Sequence, residues 1–302
     1  MDPSSILGAS TIFEFRISEF EFRIYNLSLE RDLKSAIRNP QSEISTLPIG
    51  IFDSGVGGLT VYRALHERLP YEHFVYLGDT ARVPYGTKSL ATVERYAVEN
   101  SRFLEAHGIK LLVVACNTAS ALALPAIRAA VSVPVVGVIG PGARAAVVVA
   151  GEKKIGVIAT EATVQSAAYS RAIGKVSPAL EVIERACPLF VSLAEEGWAE
   201  SDVARAVAAE YLNELKGQGI GALVLGCTHY PILRAIISEA IGSEVPLIDS
   251  GEATGHEVKA LLHSSGLLSA KGNTAELQER HLCDDLDHFY VTDAAERFAR
   301  VA

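Results

Sequence analysis

LLVVACNTAS, Leu111 to Ser120, decides how the rest of the chain is read. Its apolar, largely β-branched first half has the pattern of a buried strand, and the strand stops at Cys116, where small polar residues begin a helix. Open parallel sheets hold their ligands outside the carboxyl ends of the strands. A thiol there, followed by Asn117 and Thr118, therefore faces a candidate pocket. The pattern occurs again at ALVLGCTHYP, Ala222 to Pro231: an apolar strand, Cys227, Thr228 and His229, then a helical stretch carrying Ile232, Leu233, Ile236 and Ile237. Two strand-end cysteines in matched settings suggest a thiol pair with one task.

The chain has 302 residues, 49% of them hydrophobic, which allows a sizeable core and two domains. No apolar run approaches the length of a membrane span and no signal-peptide pattern opens the chain, so a cytoplasmic protein without a membrane partner is expected. Four cysteines, Cys116, Cys187, Cys227 and Cys283, are too dispersed for a disulfide framework and form no close Cys-x-x-Cys pair of the zinc type. Reduced thiols follow. A formal net charge of −9 with no basic stripe disfavours nucleic-acid binding. A small anionic ligand stays compatible, held by backbone N–H groups and hydroxyls at helix starts.

Phe13 to Glu19, FEFRISE, is followed at once by Phe20 to Asn26, FEFRIYN, a near-copy of heptad length. A β-hairpin is the simplest reading of two such alternating segments, but no Gly, Pro or Asn turn parts them. Residues 1–47 are therefore expected to be an extension. Either it is flexible or helical, or it translates upstream DNA repeats ahead of the true start, for which a non-standard codon at Leu47 is a candidate because no methionine follows Met1.

From Pro48 the globular pattern begins with a strand at Ile49–Phe52, a loop at Asp53-Ser54-Gly55-Val56-Gly57-Gly58 and a helix at Leu59–Leu69. The loop lacks both the Gly-Lys-Ser/Thr of a P-loop and the Gly-x-Gly-x-x-Gly spacing, so its glycines are read as letting backbone approach a small ligand. Asp53 either caps the helix or takes part in chemistry. A strand at Phe74–Leu77 leads through Gly78-Asp79-Thr80 to a shaped loop, Val83-Pro84-Tyr85-Gly86-Thr87, in which Tyr85 is a turn residue or a pocket wall. Ser89–His107 reads as a helix with Val93, Tyr96, Ala97 and Phe103 inward, and Val133–Ile139 as a further strand.

At Lys154 the pattern restarts. Ile155 to Tyr169 parallels Ile49 to Tyr62, the two cysteine strands parallel each other, and VPLIDSGEATG from Val245 parallels VPVVGVIGPG from Val133. The expected fold class is α/β: two related open domains with mainly parallel sheets, pseudo-twofold, and an active site in the cleft between them. Chance likeness among buried strands is the alternative. Glu195 and Glu196, side by side, are usually a solvated helix face. Beyond Ala253 come a helix, a polar stretch around Lys271–Arg280 and a last strand near His288–Asp293, none of which suggests catalysis.

If pseudo-twofold halves close on each other, Cys116 and Cys227 point into one cleft from opposite sides. A substrate Cα between them loses its proton to one thiolate, and the planar carbanion so formed gains one from the other thiol, inverting the stereocentre. Free thiols ionise near pH ~8.5, and a helix N-terminus lowers that value. Asp53 and His229 are placed to tune or relay protons, and Asn117, Thr118 and Thr228 to bond a carboxylate. The competing reading is that buried cysteines only fill space, as Cys187 and Cys283 are expected to do. Metal binding is disfavoured because His229 alone does not complete a thiolate site.

On FDSGVGGLTV at Phe52, YLGDTARVPYGTKS at Tyr76, VVACNTAS at Val113, GVIGPGARAA at Gly137, ACPLFVSLAEEGW at Ala186, VLGCTHYPIL at Val224 and LIDSGEATG at Leu247, the chain resembles the glutamate racemases of the aspartate/glutamate racemase family. The resemblance spans nearly all of Pro48 to Gly255. It implies cofactor-independent interconversion of L- and D-glutamate, supplying D-glutamate for peptidoglycan, in a homodimer with neither metal nor cofactor. Cys116 and Cys227 would be the acid/base pair, with Asp53, His229 and Glu195 as auxiliary proton-handling groups. Asp53, Ser54, Tyr85, Gly86, Asn117, Thr118, Thr228 and His229 would line the glutamate site. In the family a Pro-containing segment usually precedes the carboxylate at Glu195; here Ser192 stands where Pro is common. The resemblance also implies a chain that crosses between domains, giving residues 48–134 plus 252–302 as the first and 135–251 as the second. Some members carry N-terminal extensions linked to activation by a peptidoglycan precursor. An aspartate racemase is the nearest rival, and such enzymes usually carry a glutamate where His229 stands. A ligand sensor or partner-binding protein on the same scaffold is the rival from another class, and the presence of both cysteines argues against it.

Overall fold

A computed structural model describes residues 13–15, 22–24, 44–269, 282 and 286–301. Eleven strands are set among these: β1 (Phe13–Phe15), β2 (Phe22–Ile24), β3 (Ile49–Asp53), β4 (Phe74–Gly78), β5 (Leu111–Val114), β6 (Val135–Gly137), β7 (Lys154–Ala159), β8 (Val182–Ala186), β9 (Ile220–Gly226), β10 (Leu247–Asp249) and β11 (His288–Val291). They form two sheets, ordered β2-β1-β11-β4-β3-β5-β6 and β10-β9-β7-β8. β3, β5, β7 and β9 are short, largely apolar and buried, the composition of parallel strands covered on both faces, whereas the edge strand β8 carries Glu184 and Arg185 and is half-buried.

The internal repeat seen in the sequence is a repeat of topology. β4-β3-β5-β6 in one sheet and β8-β7-β9-β10 in the other have the same order, all neighbours parallel. β3 matches β7, β5 matches β9, and β6 matches β10, as the paired segments predict. Two halves with separate sheets thus place corresponding strand ends in corresponding positions. Around each sheet lie separate cores, one built on Ile51, Tyr76 and Val113, another on Ile158, Leu223 and Leu225.

Several expectations need adjustment. β6 pairs with β5, so the first sheet runs through Gly137, three residues past the expected boundary at 134. The expected strand to Ile139 is shorter, because a helix already begins at Ile139 and runs to Ala150. Pro141 is accommodated in its first turn, where a missing N–H costs nothing. After β10 the helix Ser250–Ser264 crosses back and lies along helix Leu59–Arg68; a Cβ at Gly255 would stand 3.1 Å from the Ala64 carbonyl oxygen, so the two backbones approach closely. β11 then joins the first sheet parallel to β4.

The N-terminal repeat differs most from expectation. Its two copies supply β1 and β2, an antiparallel pair with Phe13 opposite Ile24, and β1 continues the sheet antiparallel to β11 with Phe13 opposite Val291. A turn sequence was the missing signal; pairing to β11 supplies what the local sequence lacks. Cys283 and the polar stretch 271–280 lie outside the described residues. Among the described residues no helix is long and apolar enough to cross a membrane.

A buried ion pair ties the chain segments that bracket the first sheet. Lys110 Nζ and Glu72 Oε2 are 2.5 Å apart and almost wholly inaccessible, and the ammonium also donates to the carbonyls of Ser45 at 2.6 Å and Leu267 at 2.9 Å. Glu72 accepts in turn from the Ser269 N–H and hydroxyl at 2.8 and 2.9 Å. Burial pulls the Lys110 ammonium below its ordinary pKa, and the bond to Glu72 resists that shift. Breaking one partner of such a pair leaves an uncompensated buried charge. Glu72→Gln should therefore lower stability by about 3–5 kcal/mol in urea unfolding; an unchanged midpoint would show that the pair holds nothing together.

Candidate active site

β3 ends at Asp53, and a short acidic side chain at a strand end can fold back on the backbone that follows. Asp53 Oδ2 accepts from the N–H groups of Gly55 and Gly58, both at 3.0 Å, which curls residues 54–58 into a tight loop. The Tyr76 hydroxyl, from β4, donates to the Gly55 carbonyl at 2.7 Å and fixes the same loop from below. Gly57 is the point of closest approach to the other half: a Cβ there would fall 2.5 Å from Thr228 Oγ1 and 2.6 Å from His229 Nδ1. Only glycine fits. Across this contact Thr228 Oγ1 donates to Asp53 Oδ1 at 3.4 Å, and Thr60 Oγ1 donates to the Thr228 carbonyl at 3.0 Å.

Cys116 caps the helix Asn117–Leu122, its sulfur accepting from the Ala119 N–H at 3.5 Å and donating to Ser54 Oγ at 3.6 Å. Burial, reinforced by the Asp53 charge, pushes this thiol up to about 12 against those two hydrogen bonds. Cys227, after β9, meets a different partner. Its sulfur lies 3.7 Å from His229 Nδ1, and His229 Nε2 lies 3.2 Å from Glu195 Oε1 at the end of helix Leu189–Glu195. Burial works against the imidazolium, yet bonds to Cys227 and Glu195 and the charges of Cys227 and Asp53 outweigh it and carry His229 up to about 10. Burial raises the Asp53 carboxyl, with His229 and the loop N–H groups opposing. One thiol is thus held protonated and the other sits beside a cation.

Both sulfurs line one cavity with Ser54, Tyr85, Gly86, Asn117, Thr118, Thr228 and His229. It encloses about 20 Å³, the space of a single water, so the cleft is closed in this state. Asp53 and Glu195 stand behind the lining, each bonded to a residue that forms it. Of the adjacent glutamates, Glu195 makes the contact and Glu196 is exposed. Tyr85 is a buried wall, its hydroxyl bonded to Asp79. Asn117 is held by Tyr169, whose hydroxyl donates to Asn117 Oδ1 at 2.7 Å. Cys187 packs in the second core as expected. Among the described residues no group of three or more His, Cys, Asp or Glu side chains could hold a metal ion.

The sequence reading missed Thr160. Its hydroxyl lies 2.9 Å from that of Thr118 and 3.0 Å from that of Thr163, a cluster joining the two halves at the cavity edge. The internal repeat carried the signal, since Thr160 at the end of β7 is the counterpart of Ser54 at the end of β3. A Cβ at Gly86 would fall 2.6 Å from Thr160 Cβ, so this edge too is in close contact.

A sequence model of the Asp/Glu/Hydantoin racemase family matches residues 49–258. The chain belongs to that family. A glutamate racemase of Geobacter metallireducens is 53% identical over 253 residues, 84% of this chain and 90% of that protein. Among solved structures, glutamate racemase isoform RacE1 of Bacillus anthracis superposes with a TM-score of 0.77 at 37% identity, covering 85% of this chain and 93% of that one. Glutamate racemase of Francisella tularensis in complex with D-glutamate gives 0.75 at 40% identity, covering 85% and 92%. The family's two-domain racemase fold is the fold of this chain.

The charge on His229 makes stability pH-dependent. With the folded-state pKa raised above 6.5 to about 10, the stabilising contribution is complete below pH 6.5 and is lost as pH rises through about 10. Thermal melting across that window should show a fall in Tm that His229→Asn lacks. Equal slopes would mean that the imidazole is neutral in the folded protein.

Proposed function

We propose that this racemase interconverts L- and D-glutamate without a cofactor, by two-thiol proton transfer, and so supplies D-glutamate for peptidoglycan synthesis. The observation that carries the reading is that Cys116 and Cys227, at matched strand ends of two duplicated halves, line the same small cavity. Identity to glutamate racemases at the level of half the aligned residues supports the choice of substrate.

Cys227 lies beside the His229 imidazole that Glu195 orients, and burial holds Cys116 as the thiol. Acting as the base in one direction, Cys227 takes the Cα proton from one face, and the Cys116 thiol delivers a proton to the other. The reverse direction begins from the opposite pair of protonation states. Asn117, Thr118, Thr228 and Ser54 offer amide and hydroxyl groups to the amino and α-carboxylate groups, and the backbone at Tyr85–Gly86 offers N–H groups to a carboxylate. Placing donors where carbanion charge develops lowers the barrier more than binding alone. The cleft opens to admit substrate, since the closed cavity is too small for an amino acid.

Assay of both enantiomers of glutamate and of aspartate tests the substrate. With a base on each face, D-glutamate formed from L-glutamate in deuterated water should carry solvent deuterium while unreacted L-glutamate stays nearly unlabelled at early times. Early label in both enantiomers would mean a single base. Cys116→Ala and Cys227→Ala should each lower turnover by about 10³-fold or more, because the far face then lacks its proton donor or acceptor. Near-normal turnover in either variant, or preference for aspartate, would contradict the proposal.

A further inference from the structure

Asp79 follows β4 as closely as Asp53 closes β3, but its carboxylate is spent on other groups. It is fully buried and takes four side-chain donors: Arg82 Nε at 2.9 and 2.8 Å to its two oxygens, Thr292 Oγ1 at 2.9 Å, Asn100 Nδ2 at 3.1 Å and the Tyr85 hydroxyl. Arg82 extends the network, bonding Glu99 at 2.6 Å and Asn100 Oδ1 at 2.9 Å while lying over the Tyr96 ring, all three on helix Leu90–Ala106. Thr292 extends it the other way. Its hydroxyl oxygen accepts from the Ala81 N–H at 3.0 Å, and the next residue, Asp293, bonds Thr80 through its N–H at 3.0 Å. The loop bearing Tyr85 and Gly86 is thus clamped between a helix on one side and the C-terminal strand on the other.

We propose that Asp79 is a positioning residue for substrate binding, acting through Tyr85 and Arg82 to set the Tyr85–Gly86 wall of the cleft, with Thr292 holding Asp79 in place. The inference rests on the reading that this wall binds a carboxylate of glutamate. Gly86 packs closely on Thr160, with no space for a Cβ, so the fit of this wall against the second half depends on where the clamp holds the loop, and loosening the clamp disturbs that fit. Neither Asp79 nor Thr292 lines the cavity that the thiols share. The wall meets the substrate alike in ground and transition states, so its loss weakens binding rather than the chemical step. A carboxylate is needed because four donors converge on acceptor-only oxygens; an amide would set an N–H against a donor.

The test uses the full chain, with steady-state kinetics on L- and D-glutamate and thermal melting for Asp79→Asn, Thr292→Val and Thr292→Ser. Asp79→Asn should raise KM about tenfold or more in both directions while kcat falls less than about threefold. Thr292→Val should raise KM about fivefold, and Thr292→Ser, which keeps the hydroxyl, should restore it to within about twofold of the unaltered chain. If Asp79→Asn does not fold, the two Thr292 variants decide the matter. A fall in kcat at unchanged KM, unchanged kinetics in every variant, or a Thr292→Ser no better than Thr292→Val would overturn the role of Asp79 while leaving the functional reading intact. No glutamate turnover by the unaltered chain would overturn both.

Discussion

The site depends on the contact between the loop after β3 and the loop after β9. Gly57 lies so close to Thr228 and His229 that no side chain fits between, and Asp53, Thr60 and Thr228 bond across the same seam. This contact brings the carboxyl ends of two separate parallel sheets face to face. Strand-end residues that would each border an open crevice are enclosed together, and water is largely excluded from the space they share. The polar groups at the seam are satisfied by one another, which makes closure tolerable in a region with little apolar surface.

Enclosure also sets the electrostatics. Both sulfurs are buried, yet their partners differ: Cys116 has a carboxylate nearby and a hydroxyl as its bond partner, whereas Cys227 has an imidazole backed by Glu195. Burial disfavours an isolated thiolate and tolerates one beside a cation. The two halves therefore share a topology without sharing the partners of their thiols. That difference comes from His229 and Glu195, which the first half does not duplicate.

Much of this was legible in the sequence. The repeat of strand, cysteine and hydroxyl residue foretold two related, mainly parallel sheets, which share a four-strand order, and nine proposed site residues, among them Ser54, Gly86 and Thr228, line one cavity. Thr160 was legible as well, had the repeat been followed from β3 to β7. What was not legible depends on distance along the chain. Thr292 bonds Asp79 from 213 residues away, so a tail that showed no sign of chemistry buttresses the loop bearing Tyr85 and Gly86. Likewise the FEFRI copies, lacking a turn sequence, become strands because the first pairs with β11 and the second with the first, and no local pattern announces a partner so remote as β11.

The central claim is that Cys116 and Cys227 act on opposite faces of one carbon. The most direct measurement is elimination from each enantiomer of a glutamate analogue with a β-leaving group, which needs removal of one proton and no reprotonation. In Cys116→Ala and Cys227→Ala, each variant should retain elimination from one enantiomer and lose it from the other, in reciprocal fashion. Loss of the same enantiomer in both variants, or retention of both enantiomers in either, would contradict the account.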